Sequence, residues 1–271
     1  MLIYDYGQGF LMVGGGVLLA LALGALVRRS FSAAALKQAQ DATGNMLSMV
    51  GTLYAVLLGL VVVDAMVRFE RAIDGVQGES TRLADVFLLA ERLPEPQQTR
   101  IRTLCRAYAT EVVEREWPLL ARGRSSLEAR RIALKLARSL DDFQPESETE
   151  KIVFPMMLDQ LREVWDHRRE RITTAQYGIP TIQWVALLIG STITILFAGL
   201  FSIEDARLRI LLTAMGALVL GLNIYLAMLF GYPYSGALSV SSQPFKTDIG
   251  IFEGLFSEHP AHSGEESAVG L

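Results

Sequence analysis

The sequence predicts an all-α membrane protein with four transmembrane helices and a helical extramembrane domain inserted between spans two and three. Charge segregation is the first reason. Tyr6–Val27, Ala42–Val63, Ile172–Ile203 and Ile210–Phe245, runs of 22, 22, 32 and 36 residues, hold no charged residue, so all 25 basic and 29 acidic residues of the 271 fall elsewhere. A soluble domain spreads charge over its surface elements, whereas each of these runs supplies the roughly 20 apolar residues that cross a ~30 Å hydrocarbon core. A hydrophobic content of 51% and a mean hydropathy of +0.32 agree. Helical periodicity is the second reason. Apolar residues recur every three or four positions through residues 64–171, without strand alternation or internal repeat.

Residues 8–63 read as a first transmembrane hairpin. Its first span is about Phe10–Val27. Residues 1–6 lack Lys and Arg, and the apolar run is too long for the h-region of a cleavable signal peptide and ends in Arg28–Arg29, so a retained helix is expected. A polar link, Arg28–Asp41 with Lys37 inside it, leads to the second span, about Asn45–Val63. That span does not end at a turn: the sequence runs on from Asp64 without proline, and Val76, Leu83, Val86, Phe87 and Ala90 keep the helical period. One long helix is predicted, stopped at Leu93-Pro94-Glu95-Pro96, since proline disfavours helix in the residue before it.

Residues 64–176 read as the helical domain. A helix over Gln97–Glu116 carries the stripe Ile101, Leu104, Cys105, Tyr108 and Val112 and is expected to end at Trp117-Pro118. Ser125-x-x-Glu128 and Ser147-x-x-Glu150 have the form of capping boxes, each opening a further helix. The first has Ile132, Ala133, Leu136 and Leu140 on one face. The second runs through Leu158, Leu161, Trp165 and Arg171, with a bend expected at Pro155. Residues 177–232 form the second transmembrane hairpin, with spans at about Ile182–Phe201 and Ile210–Phe230 joined by the six-residue link Glu204–Arg209. Residues 233–256 follow as a motif-bearing C-terminal segment, whose amphipathic piece (Ile249, Phe252, Leu255, Phe256) suits the membrane surface or the domain. Residues 257–271, with His259 and His262, read as a disordered tail.

Several function classes find no support. There is no Cys/His cluster, phosphate-binding glycine loop or nucleophile elbow, and Gly14–Gly16 lies inside an apolar run without a following Lys. The single cysteine, Cys105, sits on an apolar stripe and reads as a small buried residue. Basic residues are balanced locally by acids, which gives nucleic acid no footprint. The chain thus reads as a non-enzyme without cofactor or metal, whose surroundings are membrane lipid. Asp141, Asp142, Glu146, Glu148 and Glu150 form an acidic cluster, but its spacing lacks an EF-hand pattern, and Glu148 and Glu150 suit the electropositive start of a helix.

An even number of spans puts both termini and the domain on one side. The hairpin links carry Arg28, Arg29, Lys37, Arg207 and Arg209, which by the positive-inside rule would be cytoplasmic. Arg68, Arg71, Arg168, Arg169 and Arg171 stand near the ends of the domain as a counterweight.

Four stretches carry a family resemblance: Gly51-Thr-Leu-Tyr54-Ala-Val-Leu-Leu58; Glu114-Arg-Glu116-Trp117-Pro118; Glu204-Asp-Ala-Arg207-Leu with Leu212-Thr213-Ala214; and Tyr232-Pro233-Tyr234-Ser235-Gly236 leading to Val240-Ser241. Over about residues 44–250 the chain resembles a bacterial family named bestrophin-like and long catalogued as a domain of unknown function. The last motif is the most specific, although family members more usually have an acid where Ala237 stands. The resemblance implies family-motif roles for Trp117, Pro118, Glu204, Tyr232, Pro233, Ser235 and Gly236. It implies the bestrophin layout: a pentameric anion channel of the bacterial inner membrane, with four spans, and with the helical domain and both termini in the cytoplasm. Eukaryotic bestrophins bind calcium through an acidic stretch, for which the cluster above is the nearest counterpart.

The second span also has a face of small residues, Gly44, Ser48, Gly51, Thr52, Ala55 and Gly59. Ser48, Thr52, Ala55 and Gly59 are candidate pore-lining residues, with hydroxyls for a partly dehydrated anion; close helix packing explains the same ladder, and Gly16-Ala20-Gly24 and Gly190-Thr194-Ala198 repeat it. No charged residue lies within a span, which speaks against an ion-coupled pump. Asn223 is expected to hydrogen-bond across helices. Two readings remain: a homo-oligomeric channel subunit for small anions, or a non-conducting membrane scaffold or sensor that binds a protein partner through its helical domain.

Overall fold

The computed structural model describes residues 6–258, the side chains of 255–258 excepted, so residues 259–271 of the expected tail and the expected contacts of Leu255 and Phe256 lie outside the described residues, while residues 257–258, expected as disordered, end a helix. Every regular element among the described residues is helical: α1 (Tyr6–Ser30), α2 (Ala33–Gln38), α3 (Gln40–Leu89), α4 (Gln97–Glu111), α5 (Trp117–Leu120), α6 (Leu127–Asp141), α7 (Glu148–Gln176), α8 (Thr181–Gly199), α9 (Ala206–Gly231) and α10 (Gln243–Glu258). Four helical stretches are long and apolar enough to cross a membrane: Tyr6–Ser30, Gln40–Arg92, Glu148–Gly199 and Ala206–Gly231. Each contains one of the charge-free runs or most of it. α3 is one unbroken helix of 50 residues, about 75 Å at a rise of 1.5 Å per residue. A single 3-10 turn, Ala90–Arg92, ends it just before the Pro94–Pro96 segment.

The chain divides into two compact units. The first holds the described residues up to Ile73, Ala121–Gly123 and Thr173–Val240. In it α1 packs on α8 and α9, and α8 on α9. Its core joins Tyr54, Leu58, Val61 and Ala65 of α3 to Ile179, Leu187 and Ala227, with Trp184, Leu220, Ile224 and Phe230 against them. Tyr54 is the polar pin of this apolar cluster: its hydroxyl donates to the Leu187 carbonyl at 3.0 Å. Gly190 makes room for the ring, because a Cβ there would stand inside it. Gly24 of the α1 ladder lies against Gly199, so that ladder serves close helix approach. The polar link between the first two spans is itself structured, since the Ser32 hydroxyl caps α2 by accepting from Ala35 N. Asn223 departs from expectation. Its amide donates to Val219 O of its own helix at 2.9 Å rather than across to a neighbour.

The second unit holds Asp74–Leu120, Arg124–Ile172 and the described residues from Ser241 onward. The predicted stripes are inside: Val76, Leu83, Val86, Phe87 and Ala90 of α3, Ile101, Cys105, Tyr108 and Val112 after it, and Ile132, Ala133, Leu136 and Leu140 of α6. Burial pushes the Cys105 thiol up, which keeps it protonated and inert. The amphipathic C-terminal piece is α10. It rests on α4, with Phe245 and Phe252 fully buried and Phe252 stacked on Phe87 at 4.1 Å.

Two local expectations are corrected. Trp117-Pro118 does not end a helix. A π-helical turn, Val112–Glu116, joins α4 to α5. It interrupts the i→i−4 ladder where Pro118 has no N–H to give, so the proline falls at a break already made. The cap of α6 is Ser126, not Ser125. Its hydroxyl accepts from Glu128 N and Ala129 N, while Glu128 pairs with Arg131 and so closes no reciprocal box. α7 runs five residues past Arg171 to Gln176 and carries Pro155 inside it. The second box is formed, with Glu150 N donating to the Ser147 hydroxyl and the Glu150 carboxylate accepting from Glu146 N and Ser147 N.

A methyl at Gly190 must displace the Tyr54 ring. Gly190→Ala is expected to lower stability by about 1–3 kcal/mol. Gly15→Ala, on an exposed stretch of α1 with nothing near the added carbon, is expected to stay within about 0.5 kcal/mol. Denaturation of the two purified variants beside wild type checks the difference.

Candidate functional site

α3 presents the small residues outward. Ser48, Thr52, Ala55 and Gly59 are exposed, and a Cβ placed on Gly51 or Gly59 would meet nothing. Among the described residues nothing covers this face, in contrast to Gly24 and Gly190. The Thr52 hydroxyl donates to the Ser48 carbonyl at 2.8 Å. Its hydrogen is therefore spent on its own helix, and the oxygen lone pairs point outward.

The second unit holds an ionic cluster that no sequence motif announced. Glu79 of α3, Glu116 of the π turn, and Arg168 and Arg171 of α7 are all buried, the side chains of Glu79, Glu116 and Arg171 at 0% exposure. Arg171 grips Glu79 with two parallel bonds, Nε to Oε2 at 2.7 Å and Nη2 to Oε1 at 2.9 Å. Arg168 holds Glu116 the same way, with Nη2 to Oε2 at 2.8 Å. Arg171 Nη2 also reaches Glu116 Oε1 at 2.9 Å, which joins the pairs into one cluster. The Tyr108 hydroxyl donates to Glu79, and Ser126 N donates to Glu116 Oε2 at 2.9 Å. Two acids and two bases cancel, and fork-to-fork geometry satisfies most of their polar atoms.

Aromatic rings complete the surroundings. The Arg171 guanidinium lies 5.7 Å from the Trp117 ring centre and 5.9 Å from that of Phe245. Its Nη1 is buried without a hydrogen-bond partner, so the ring faces stand where water would otherwise be. Burial alone would raise the Glu116 carboxyl, but the bonds from Arg168 and the charges of Arg171 and Arg168 outweigh it and hold the group below the usual carboxylate range. Burial first, then the Glu79 charge, pushes the Tyr108 hydroxyl up, so it remains a donor.

The closing motif is a staple of the first unit. Tyr232 covers Gly178, where a Cβ would enter its ring, and its hydroxyl accepts from Trp184 Nε1 at 3.3 Å. Ser235 N donates to Tyr232 O at 3.1 Å, and Val240 N to Pro233 O at 2.8 Å. Gly236 has φ 93°, a backbone conformation that side-chain-bearing residues rarely adopt. The buried Tyr234 reaches the Ala72 carbonyl of α3 at 3.4 Å. The motif therefore closes backbone geometry and binds the end of α9 to the start of α8 and to α3.

The sequence candidates thus fall into separate places. Ser48, Thr52, Ala55 and Gly59 share one face of α3. Trp117 belongs to the ionic cluster, and Tyr232, Pro233, Ser235 and Gly236 form the staple. Glu204 is exposed and only loosely paired with Lys37 at 3.7 Å. Arg168 and Arg171, expected as basic residues near the ends of the domain, are instead buried and neutralised.

The sequence profile of the Bestrophin-like domain matches residues 14–245. The chain belongs to the bestrophin-like family. Solved structures agree in fold. A crystal structure of a bacterial bestrophin homologue from Klebsiella pneumoniae, carrying one substitution, aligns with TM-score 0.63 and 15% identity over 92% of this chain and 99% of that one. Another structure of a Klebsiella pneumoniae homologue gives 0.65 and 16% over 90% and 98%. A structure described as a membrane protein variant gives 0.66 and 15% over 92% and 100%. No curated protein matches the sequence significantly. At these identities the likeness is one of fold.

In this bestrophin-like chain the ionic cluster fixes the second unit, because each buried charge depends on its partner. Glu79→Leu leaves Arg171 short of its principal counter-charge and is expected to cost about 3–5 kcal/mol, while Glu79→Leu with Arg171→Met recovers much of it. Chemical denaturation of the single and double variants checks this. A group whose folded pKa lies below its unfolded value contributes stability above the unfolded value. The Glu116 contribution is therefore complete at neutral pH and is lost as pH falls through and below the carboxylate range. Glu116→Gln should flatten that acid loss in thermal melts taken across pH.

Proposed function

We propose that the chain is one subunit of a homo-oligomeric channel for small anions in the bacterial inner membrane, a pentamer as the bestrophin resemblance implies. The observation that carries this is the uncovered small face of α3 beside a face that is firmly anchored. At 100° per residue, Ser48, Thr52, Ala55 and Gly59 fall within a sector of about 60°, and Tyr54, Leu58, Val61 and Ala65 within another, about 120° away. Met46, Met49, Leu53 and Leu60, all exposed, fill the remaining third. A ring of such helices turns the small face to the axis, keeps the Tyr54 face for the chain's own helices and gives the large apolar face to a neighbour or to lipid. Residues 64–176 are the extramembrane domain of the proposal, consistent with α3 being more than twice as long as a ~30 Å hydrocarbon core requires.

Flux in liposomes tests the reading. Ala55→Trp or Gly59→Trp should abolish anion flux while the oligomer stays intact. Ser48→Ala should reduce anion flux more than Thr52→Val, since only the Ser48 hydroxyl has its hydrogen free of the Thr52 interaction. If well-assembled wild-type protein passes no halide at either sign of voltage, the channel reading is overturned and the scaffold reading takes its place.

The bestrophin resemblance supports a cytoplasmic domain and cytoplasmic termini. The charges of the hairpin links argue the opposite way, more strongly now that Arg168 and Arg171 are neutralised. Single cysteines at position 35 (Ala35→Cys) and 125 (Ser125→Cys), in a Cys105→Ala background, decide the sidedness. The proposal expects labelling from outside intact cells at 35 and not at 125; the reverse result overturns the cytoplasmic placement.

A further inference from the structure

The first unit has a second polar feature, at the hairpin-link ends of its spans. Arg28 closes the last turn of α1, and Arg209 lies in the first turn of α9. Both guanidiniums donate to one neutral acceptor, the Ile203 carbonyl, at 2.8 and 3.1 Å. One carbonyl cannot balance two positive charges, and among the described residues neither arginine forms a salt bridge. Arg28 Nε is buried and has no hydrogen-bond partner. The N-terminus of α9 is already capped by Asp205, whose carboxylate accepts from Arg207 N and Leu208 N at 2.7 and 3.1 Å, so the helix dipole is met there and the unmet positive charge is that of the two guanidiniums.

A cavity of about 360 Å³ opens on these groups. Arg28, Arg209 and Thr213 give it a polar end, while Gly24, Gly199 and Leu21 supply a thin apolar wall. We propose that this cavity binds a phosphate-class anion, supplied by the headgroup of an anionic phospholipid. Guanidinium forks match phosphate oxygens. The position fits a lipid, since the arginines stand where charge-free spans meet their links and Leu21, Ala25 and Ile210 of those spans line the same cavity. The inference needs only that the spans cross a membrane and is independent of ion conduction.

Delipidated full-length protein is titrated with phosphatidylglycerol, with phosphatidylcholine or with inorganic phosphate. Thermal stability and lipid retained in native mass spectrometry are read for wild type, Arg28→Gln/Arg209→Gln and the control Lys37→Gln. The expected result is a thermal shift and one retained phosphatidylglycerol per chain in wild type and Lys37→Gln, with retention lowered at least fivefold in the double variant. Equal retention in the double variant overturns the site. An equal shift with inorganic phosphate and no retained lipid overturns the lipid source and assigns a free anion. If the double variant fails to fold, Arg28→Lys/Arg209→Lys keeps the charge and loses the fork. Weakened retention in it supports the site, and unchanged retention overturns the arginine geometry.

Discussion

Two carboxylates and two guanidiniums, almost wholly out of water, govern what the second unit can be. An ion of either kind costs several kcal/mol to bury alone. Here Glu79, Glu116, Arg168 and Arg171 come from α3, the π turn and α7, and Tyr108 of α4 donates into the group. The helices cannot slide past one another by a residue without stranding a charge. Apolar stripes tolerate such slips far better, because one methyl replaces another at small cost. The π turn has its reason here as well: by widening one turn it sets Glu116 inward after Val112 and puts Trp117 over Arg171.

The first unit solves a different problem with different means. Between apolar helices in lipid there is little hydrophobic gain from association, so packing and a few hydrogen bonds decide the arrangement. Tyr54 over Gly190 and Tyr232 over Gly178 pair a ring with a missing side chain. Tyr54 and Tyr234 each reach a backbone carbonyl. The small face of α3 has no such partner among the described residues.

Much of this was legible in sequence and some was not, for physical reasons. Charge-free runs of at least 20 residues read directly as spans, because the bilayer imposes their length. The stripes of the second unit read equally well. Their continuation did not. Val76 leads to Glu79 and Leu83 at steps of three and four; Val112 leads to Glu116; Met157, Leu161 and Val164 lead to Arg168 and Arg171. Each acid or arginine stands at an inward position of an otherwise apolar stripe. That pattern was the available signal, and counting the arginines as interfacial charge hid it. The shift from Ser125 to Ser126 as cap was not readable, since adjacent serines offer the same chemistry and tertiary contact of Ser126 with Glu116 selects between them. The staple's residues were visible as a motif, but its role depends on glycine φ and on contacts distant in sequence.

Within the charge-free run Ala42–Val63, the axis of the proposed channel would have no fixed charge with which to choose the sign of an ion. Selection must then come from how hydroxyls and apolar walls replace lost hydration. In this geometry the two hydroxyls are not equivalent. Thr52 gives its hydrogen to Ser48 O and offers lone pairs outward, which suit a cation. The Ser48 hydroxyl keeps a hydrogen available for an anion. Rotation of Thr52 about χ1 would break its 2.8 Å bond and convert an acceptor into a donor, at a cost of about 1 kcal/mol. The discrimination such a ring can make is correspondingly modest. Ala55 and Gly59, a turn further on, offer no polar side-chain group at all, so in the proposed channel an ion would cross that level on water or backbone alone. In the proposed channel such a level would sort ions chiefly by the ease with which they shed water, so among halides the larger, more weakly hydrated ones would pass more readily.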